Sequence, residues 1–157
     1  MIRYERRMMD KLVCFLFIIE ILIQGCSLSV TQSRKDQVCF QDNCIDVEVV
    51  QKMRKLRKGM QFREKLASDS GMLFIFPKSQ RHSFWMKDTL IPLDIIWMDQ
   101  TRKIVHIFHQ VLPCKTDPCP MHTPDHPALY VLEVNVGFAA TWGIQIGDRA
   151  EFRLSSH

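Results

Sequence analysis

Two hydrophobic periods take turns along this chain. Between Val38 and Val50 the pattern is strand, turn, strand, and in the second half Ile45, Val47 and Val49 alternate with polar residues, the mark of a half-buried strand. The period then changes. Met53, Leu56 and Met60 recur at i, i+3 and i+7, which predicts a short amphipathic helix that Gly59 should end. Phe62 and Leu66 follow as expected core contacts, and Ser68-Asp69-Ser70-Gly71 reads as a turn. Met72 to Phe76 is unbroken apolar sequence, so this strand should be covered on both faces and should stop at Pro77. Further strands are expected from Phe84 to Met86, Leu93 to Met98, Lys103 to His109, Ala128 to Val134 and Arg149 to Leu154. Asp99 to Arg102 reads as a hairpin loop, and Asn135 as the cap of a short helix from Gly137 to Trp142 stopped by Gly143. About seven or eight short strands and two short helices predict a mainly β domain, a small closed barrel or jelly-roll-like sandwich.

The amino-terminal pattern is different. Residues 1–26 read as an export leader. Arg3, Arg6, Arg7 and Lys11 precede an apolar run from Leu12 to Ile19, followed by Glu20 and Ile21-Leu22-Ile23. The run is short for a membrane span, which needs roughly 20 residues. Its end, Leu22-Ile23-Gln24-Gly25-Cys26, resembles a bacterial lipoprotein box, in which Cys26 would be lipidated and the leader cut before it. Acyl chains in combination hold a protein at a membrane, whereas one alone is marginal. A cleaved secreted protein and an uncleaved anchor are the alternatives, and Met8 or Met9 competes with Met1 as the start. Residues 27–37 are polar and Ser-rich, a tether to a single β domain over residues 38–157.

Export changes the meaning of the cysteines. Beyond Cys14 and Cys26, four remain: Cys39, Cys44, Cys114 and Cys119, in two pairs of identical spacing. In an exported domain they suggest two disulfides, with three possible connectivities. Local pairing, Cys39–Cys44 and Cys114–Cys119, is the simplest, and rings this small should contribute only ~1–2 kcal/mol each. Cys114, Cys119, His122 and His126 also offer two sulfurs and two imidazoles within a short span, a set that could hold zinc. His106 and His109, three apart on a strand, point to opposite faces and cannot share a metal.

Composition narrows the function classes. The chain has 157 residues, 46% hydrophobic and 24% charged, enough for one domain with a real core. Formal net charge is +4; the leader takes four of the 21 Lys/Arg and three of the 17 Asp/Glu with it, leaving +3. That is too mild to argue for nucleic acid. The dense basic patch of Lys52, Arg54, Lys55, Arg57 and Lys58 reads first as a solvated helix face, with an anionic surface as its natural partner if it has one.

Candidate chemistry gathers between Gly71 and Asp94. Trp85, Lys87, Asp94, Glu133 and Asp148 are the residues that packing alone leaves unexplained, and they suit a cleft that takes a glycan or small polar ligand by stacking and hydrogen bonding. The bland counterpart is that Lys87 pairs with Asp94 or Glu133 as a structural lock, with Trp85 in the core. Asp88 and Asp148 also have ordinary explanations as turn residues. If the protein is an enzyme, Asp94 with Glu133 or Asp88 would supply an acid/base pair. The chain carries no nucleophile motif and no phosphate loop, so no cofactor is expected.

Several of these pieces occur together in a known family. Gly59-Met60-Gln61-Phe62-Arg63, Gly71-Met72-Leu73-Phe74, Phe84-Trp85-Met86-Lys87-Asp88-Thr89, Pro92-Leu93-Asp94, Pro113-Cys114 through Cys119-Pro120, Val131-Leu132-Glu133, Gly137 and Gly143-Ile144 through Gly147-Asp148 strongly resemble the bacterial and archaeal domain of unknown function 192. Asp88 stands where that family often has Asn, and Gln61 where it often has Met. The resemblance covers about residues 38–153. It implies a small β-barrel or jelly-roll-like fold and frequent export or lipid anchoring, and it implies no established activity. The leading expectation is therefore a lipid-anchored extracytoplasmic domain that binds a ligand or carbohydrate. A hydrolase acting on envelope polysaccharide and an assembly factor that touches other envelope proteins are the alternatives.

Overall fold

The computed structural model describes residues 35–155. Nine strands and two short helices follow in order: β1 Gln37–Phe40, β2 Asn43–Val50, α1 Met53–Lys58, β3 Ser70–Gln80, β4 Phe84–Trp85, β5 Leu93–Met98, β6 Ile104–Val111, β7 Met121–His122, β8 Ala128–Asn135, α2 Phe138–Thr141 and β9 Ala150–Arg153. Seven strands form one sheet in the order β6-β5-β8-β3-β2-β1-β9, and β4 pairs with β7 in a small second sheet. Every strand pairing is antiparallel except β2 with β3, whose crossover carries α1.

The large sheet curls into a half-barrel. Its edge strands meet at one end, where the Ile104 amide donates to the Asp148 carbonyl at 2.8 Å and the Ala150 amide to the Arg102 carbonyl at 3.0 Å. Elsewhere β6 and β9 stay apart, so the barrel expected from the strand count is closed only there.

Strand alternation divides the buried side chains into two cores. All seven strands of the sheet contribute to the first, including Val38, Ile45, Leu73, Ile96, Ile104, Leu132 and Ala150, so it fills the inside of the curl, where α2 adds Phe138 and Ala139. The second lies on the opposite face and holds Met72, Phe74, Ile95, Trp97 and Val131, covered by Met60, Met86 and neighbouring connections. The apolar run from Met72 splits cleanly, with Leu73 on one side and Met72 and Phe74 on the other. The strand does not stop at Pro77. It runs to Gln80 because the β3–β8 register breaks between Ile75 and Gln80, which frees Pro77 from having to donate to the ladder.

Both disulfides are local. Cys39 and Cys44 face each other across the β1–β2 hairpin, and Cys114 joins Cys119 in the connection after β6. The latter bond uses both sulfurs of the possible zinc set, so Cys114, Cys119, His122 and His126 cannot bind a metal as four ligands in this state. Two disulfides point to an oxidising, extracytoplasmic compartment. Cys26, Cys14 and the leader lie outside the described residues.

Asn135 does not cap the second helix. Its side-chain amide donates to the carbonyls of Leu66 and Ala67 at 3.2 and 2.9 Å. The cap comes from Asp94 on β5, whose Oδ2 accepts the Ala139 amide at 3.0 Å.

Gly71 is a close-approach position. A Cβ there would lie 2.9 Å from the Glu133 carbonyl oxygen on β8. Gly71→Ala is expected to lower unfolding free energy by roughly 1–3 kcal/mol through overpacking. Urea titration of the two proteins checks this, and an unchanged midpoint would contradict it.

Candidate functional site

A cavity of about 410 Å³ opens between α1 and the small sheet, outside the second core. At about 30 Å³ per water this is room for roughly a dozen waters, or one small organic ligand. One wall is α1 with the turn after it, contributing Leu56, Arg57, Lys58, Gly59, Met60 and Gln61. The opposite wall is aromatic. Phe74 and Phe76 come from β3, His82 and Ser83 from the link, and Phe84 and Trp85 from β4.

These rings hold one another. Phe84 meets Phe74 edge-on at 5.0 Å and Trp97 at 5.5 Å, and His82 stacks on Phe76 at 3.6 Å. The buried Trp97 indole N–H donates to the His82 carbonyl at 2.9 Å, fixing the link that enters β4. β4 is held from its other side by β7, with Trp85 opposite Met121, and Ser83 Oγ lies 2.7 Å from Thr123 Oγ1. Trp85 is therefore positioned by its backbone while the residue stays 44% exposed at the cavity mouth. It is not a core residue.

Glu133 lines the cavity from β8. Leu132 and Val134 point into the first core, so alternation turns Glu133 toward the second face. Its side chain is buried, and Oε2 has no hydrogen-bond partner among the described residues. Burial pushes its pKa up to about 8, against the opposing pull of the Arg63 guanidinium. Arg63 itself is engaged by Glu48. Gly59, at φ +49°, brings only backbone close to this carboxyl: a Cβ there would be 3.7 Å from Oε2 and 3.4 Å from the Phe74 ring.

The other sequence candidates lie elsewhere. Lys87 pairs with neither Asp94 nor Glu133. Its ammonium bonds both oxygens of Asp117 at 3.2 and 2.9 Å, which raises its pKa, and it sits 5.7 Å from the centroid of the Trp85 ring. Asp117 belongs to the Cys114–Cys119 loop, so this disulfide loop holds the Lys87 ammonium that lies over the Trp85 ring. Asp94 is wholly buried on the opposite face of the sheet from Glu133: β5 and β8 pair Asp94 with Val134 and Ile95 with Glu133. Asp94 Oδ1 accepts the Gln110 amide at 2.9 Å and Oδ2 that of Ala139. Asp88 is an exposed turn residue at φ 56°, its carbonyl accepting the Phe62 amide. Asp148 accepts the Gln145 amide at 2.8 Å at the closed end of the half-barrel.

The structure thus brings Trp85 and Glu133 together at the cavity, leaves Lys87 behind the Trp85 ring and outside the lining, and places Asp88, Asp94 and Asp148 elsewhere. It adds Arg57, Lys58, Gln61, Phe76 and His82 to the site. The basic run was visible in sequence, but its position over a cavity was not. Met53, expected to face inward with Leu56 and Met60, is 59% exposed at the rim because α1 lies over open space there. Among the described residues no cluster of three or more His, Cys, Asp or Glu is arranged to hold a metal ion. The cavity wall carries one carboxyl without a second beside it among the described residues, so the paired-carboxylate arrangement is not formed there.

The profile of DUF192, described as an uncharacterized ACR, matches residues 36–152. The chain belongs to the DUF192 family. A solved structure from Novosphingobium aromaticivorans, of unknown function, superposes with a TM-score of 0.68 and 31% identity over 74% of this chain and 83% of its own. A second, a Sinorhizobium meliloti protein provisionally named a transcription regulator, has a TM-score of 0.68 and 27% identity over 75% of this chain and 92% of its own. No curated protein matches the chain. The fold of this DUF192 domain is thus shared with solved proteins, and no specific activity comes with it.

Proposed function

We propose that this DUF192 domain is an extracytoplasmic binding module, held at the membrane by lipid on Cys26, that takes a saccharide or similar small polar ligand in the cavity beside Trp85. One observation carries the reading: a buried, unpartnered carboxyl oxygen of Glu133 at the wall of an open aromatic cavity. Natural structures rarely leave such an atom unsatisfied without a use for it. A sugar hydroxyl would satisfy Glu133, and the exposed Trp85 ring offers the apolar face on which a pyranose stacks. Gln61 and Ser83 supply further polar contacts. The paired-carboxylate hydrolase is not favoured, because Asp94 and Glu133 occupy opposite faces of the sheet.

The test is affinity. A glycan screen with the full chain should return a ligand, and Trp85→Ala should weaken it by roughly fivefold to a hundredfold, since stacking a ring on an aromatic face is worth roughly 1–3 kcal/mol. Because Trp85 is half-exposed, the thermal midpoint should move little. No glycan bound, or equal binding by Trp85→Ala, overturns the proposal.

A further inference from the structure

We propose that the ligand of this cavity is acidic, a saccharide bearing a carboxylate or phosphate group that docks against Arg57 and Lys58 at the mouth. The inference rests on the binding reading above and adds the charge of what is bound. Arg57 and Lys58 both line the cavity and both are exposed. Neither has an ion pair among the described residues. Glu48, the nearby acid that engages this region, is taken by Lys55 at 3.8 Å and by Arg63. The first turn of α1 has no acidic residue, and its last turn holds Lys55, Arg57 and Lys58.

Among the described residues the only acid lining the cavity is Glu133. It is buried away from the mouth and kept largely neutral near pH 7, so it does not cancel the cations. A ligand therefore meets positive charge at the entrance, an aromatic wall beside it, and an uncharged hydrogen-bonding group inside. A cation would have to pass two uncompensated positive side chains to reach that wall. A neutral sugar would leave both of them unused. An acidic sugar engages all three features, with the guanidinium suited to a bidentate contact with carboxylate or phosphate. Lys52 and Arg54, beside or within the same helix but outside the lining, add to the attraction without touching the ligand.

The test compares three probes on the full chain in phosphatidylcholine nanodiscs by titration calorimetry: methyl glucoside, methyl glucuronide and glucose 6-phosphate. An acidic probe should bind at least tenfold tighter than methyl glucoside, and Arg57→Ala with Lys58→Ala should bring that ratio close to one. Arg54→Ala should leave the ratio within about twofold, as expected for a charge that only acts at a distance. A preference confined to the glucuronide or to the phosphate supports the inference and identifies which acid is read. Equal binding of all three overturns the acidic-ligand inference and leaves the binding reading standing. No binding of any of the three overturns the acidic-ligand inference, and the binding reading falls with it only when the glycan screen is silent as well.

Discussion

Asp94→Ala is expected to lower the stability of this domain by roughly 2–5 kcal/mol, enough to drop its melting temperature by on the order of 10 °C or more. Asp94 is wholly buried, and its two oxygens each accept a backbone amide, from Gln110 at 2.9 Å and Ala139 at 3.0 Å. One bond ties β5 to the irregular end of β6, where Gln110 has φ 53°; the other caps α2. Alanine leaves both N–H groups without an acceptor and opens a void. Asp94→Asn keeps one acceptor and turns an amide N–H₂ toward the other donor, so about half of the loss should remain. Thermal and urea unfolding of the three proteins measure this. A loss under about 1 kcal/mol for alanine would show that Asp94 does not hold the sheet in the way described.

Glu133→Gln should act in the opposite direction at alkaline pH. The folded-state pKa of Glu133 is raised from 4.5 to about 8, chiefly by burial. The folded protein therefore binds a proton more tightly than the unfolded chain does. The stability this group contributes is fully present below about pH 4.5 and is lost as pH rises through about 8. At about 1.4 kcal/mol per pH unit, the wild type should give up roughly 3–5 kcal/mol over that window from this group alone. A glutamine side chain cannot ionise, so the variant should lack this slope and be the more stable protein above about pH 8. The difference between the two stability–pH curves isolates the carboxyl from other titrating groups. Parallel curves would mean that Glu133 is solvated or paired, and the site would lose its defining feature.

How much of this was legible before the structure depends on the physics of each element. The alternation in Asn43–Val50, the short basic helix ended by Gly59, and the Asp99 loop all depend on local pattern, and each formed. Local pairing, the simplest of the three connectivities open to the four cysteines, is the one that formed. What could not be read was which face a buried polar group occupies. Leu93–Met98 is buried at every position, so its alternation carries no contrast, and only the pairing of Asp94 with Val134 shows that Asp94 and Glu133 are back to back. The partner of Lys87 is 30 residues away in a disulfide loop, beyond local pattern. The site itself combines a helix, β3, β4, β7 and β8, a convergence set by the curl of the sheet and the parallel crossover through α1. Trp85 and Glu133 were legible as candidates one by one, and Gly59 as a helix end; that the missing Gly59 side chain leaves the space beside Glu133 was not.

The Gly71–Asp94 stretch serves two purposes that the sequence had merged. Its odd and even strand positions build the two cores, while the segment from His82 to Trp85 builds the aromatic wall. Trp97, buried in the second core, joins them by holding the His82 carbonyl.

The central claim is that the cavity beside Trp85 is where a saccharide binds, and the indole N–H signals of the full chain test it most directly. Trp85, Trp97 and Trp142 give three such signals, of which only Trp85 lies at the cavity. Titration with the bound glycan should move the Trp85 signal saturably and leave that of Trp142 in place. A glycan that binds while the Trp85 signal stays still would contradict the account.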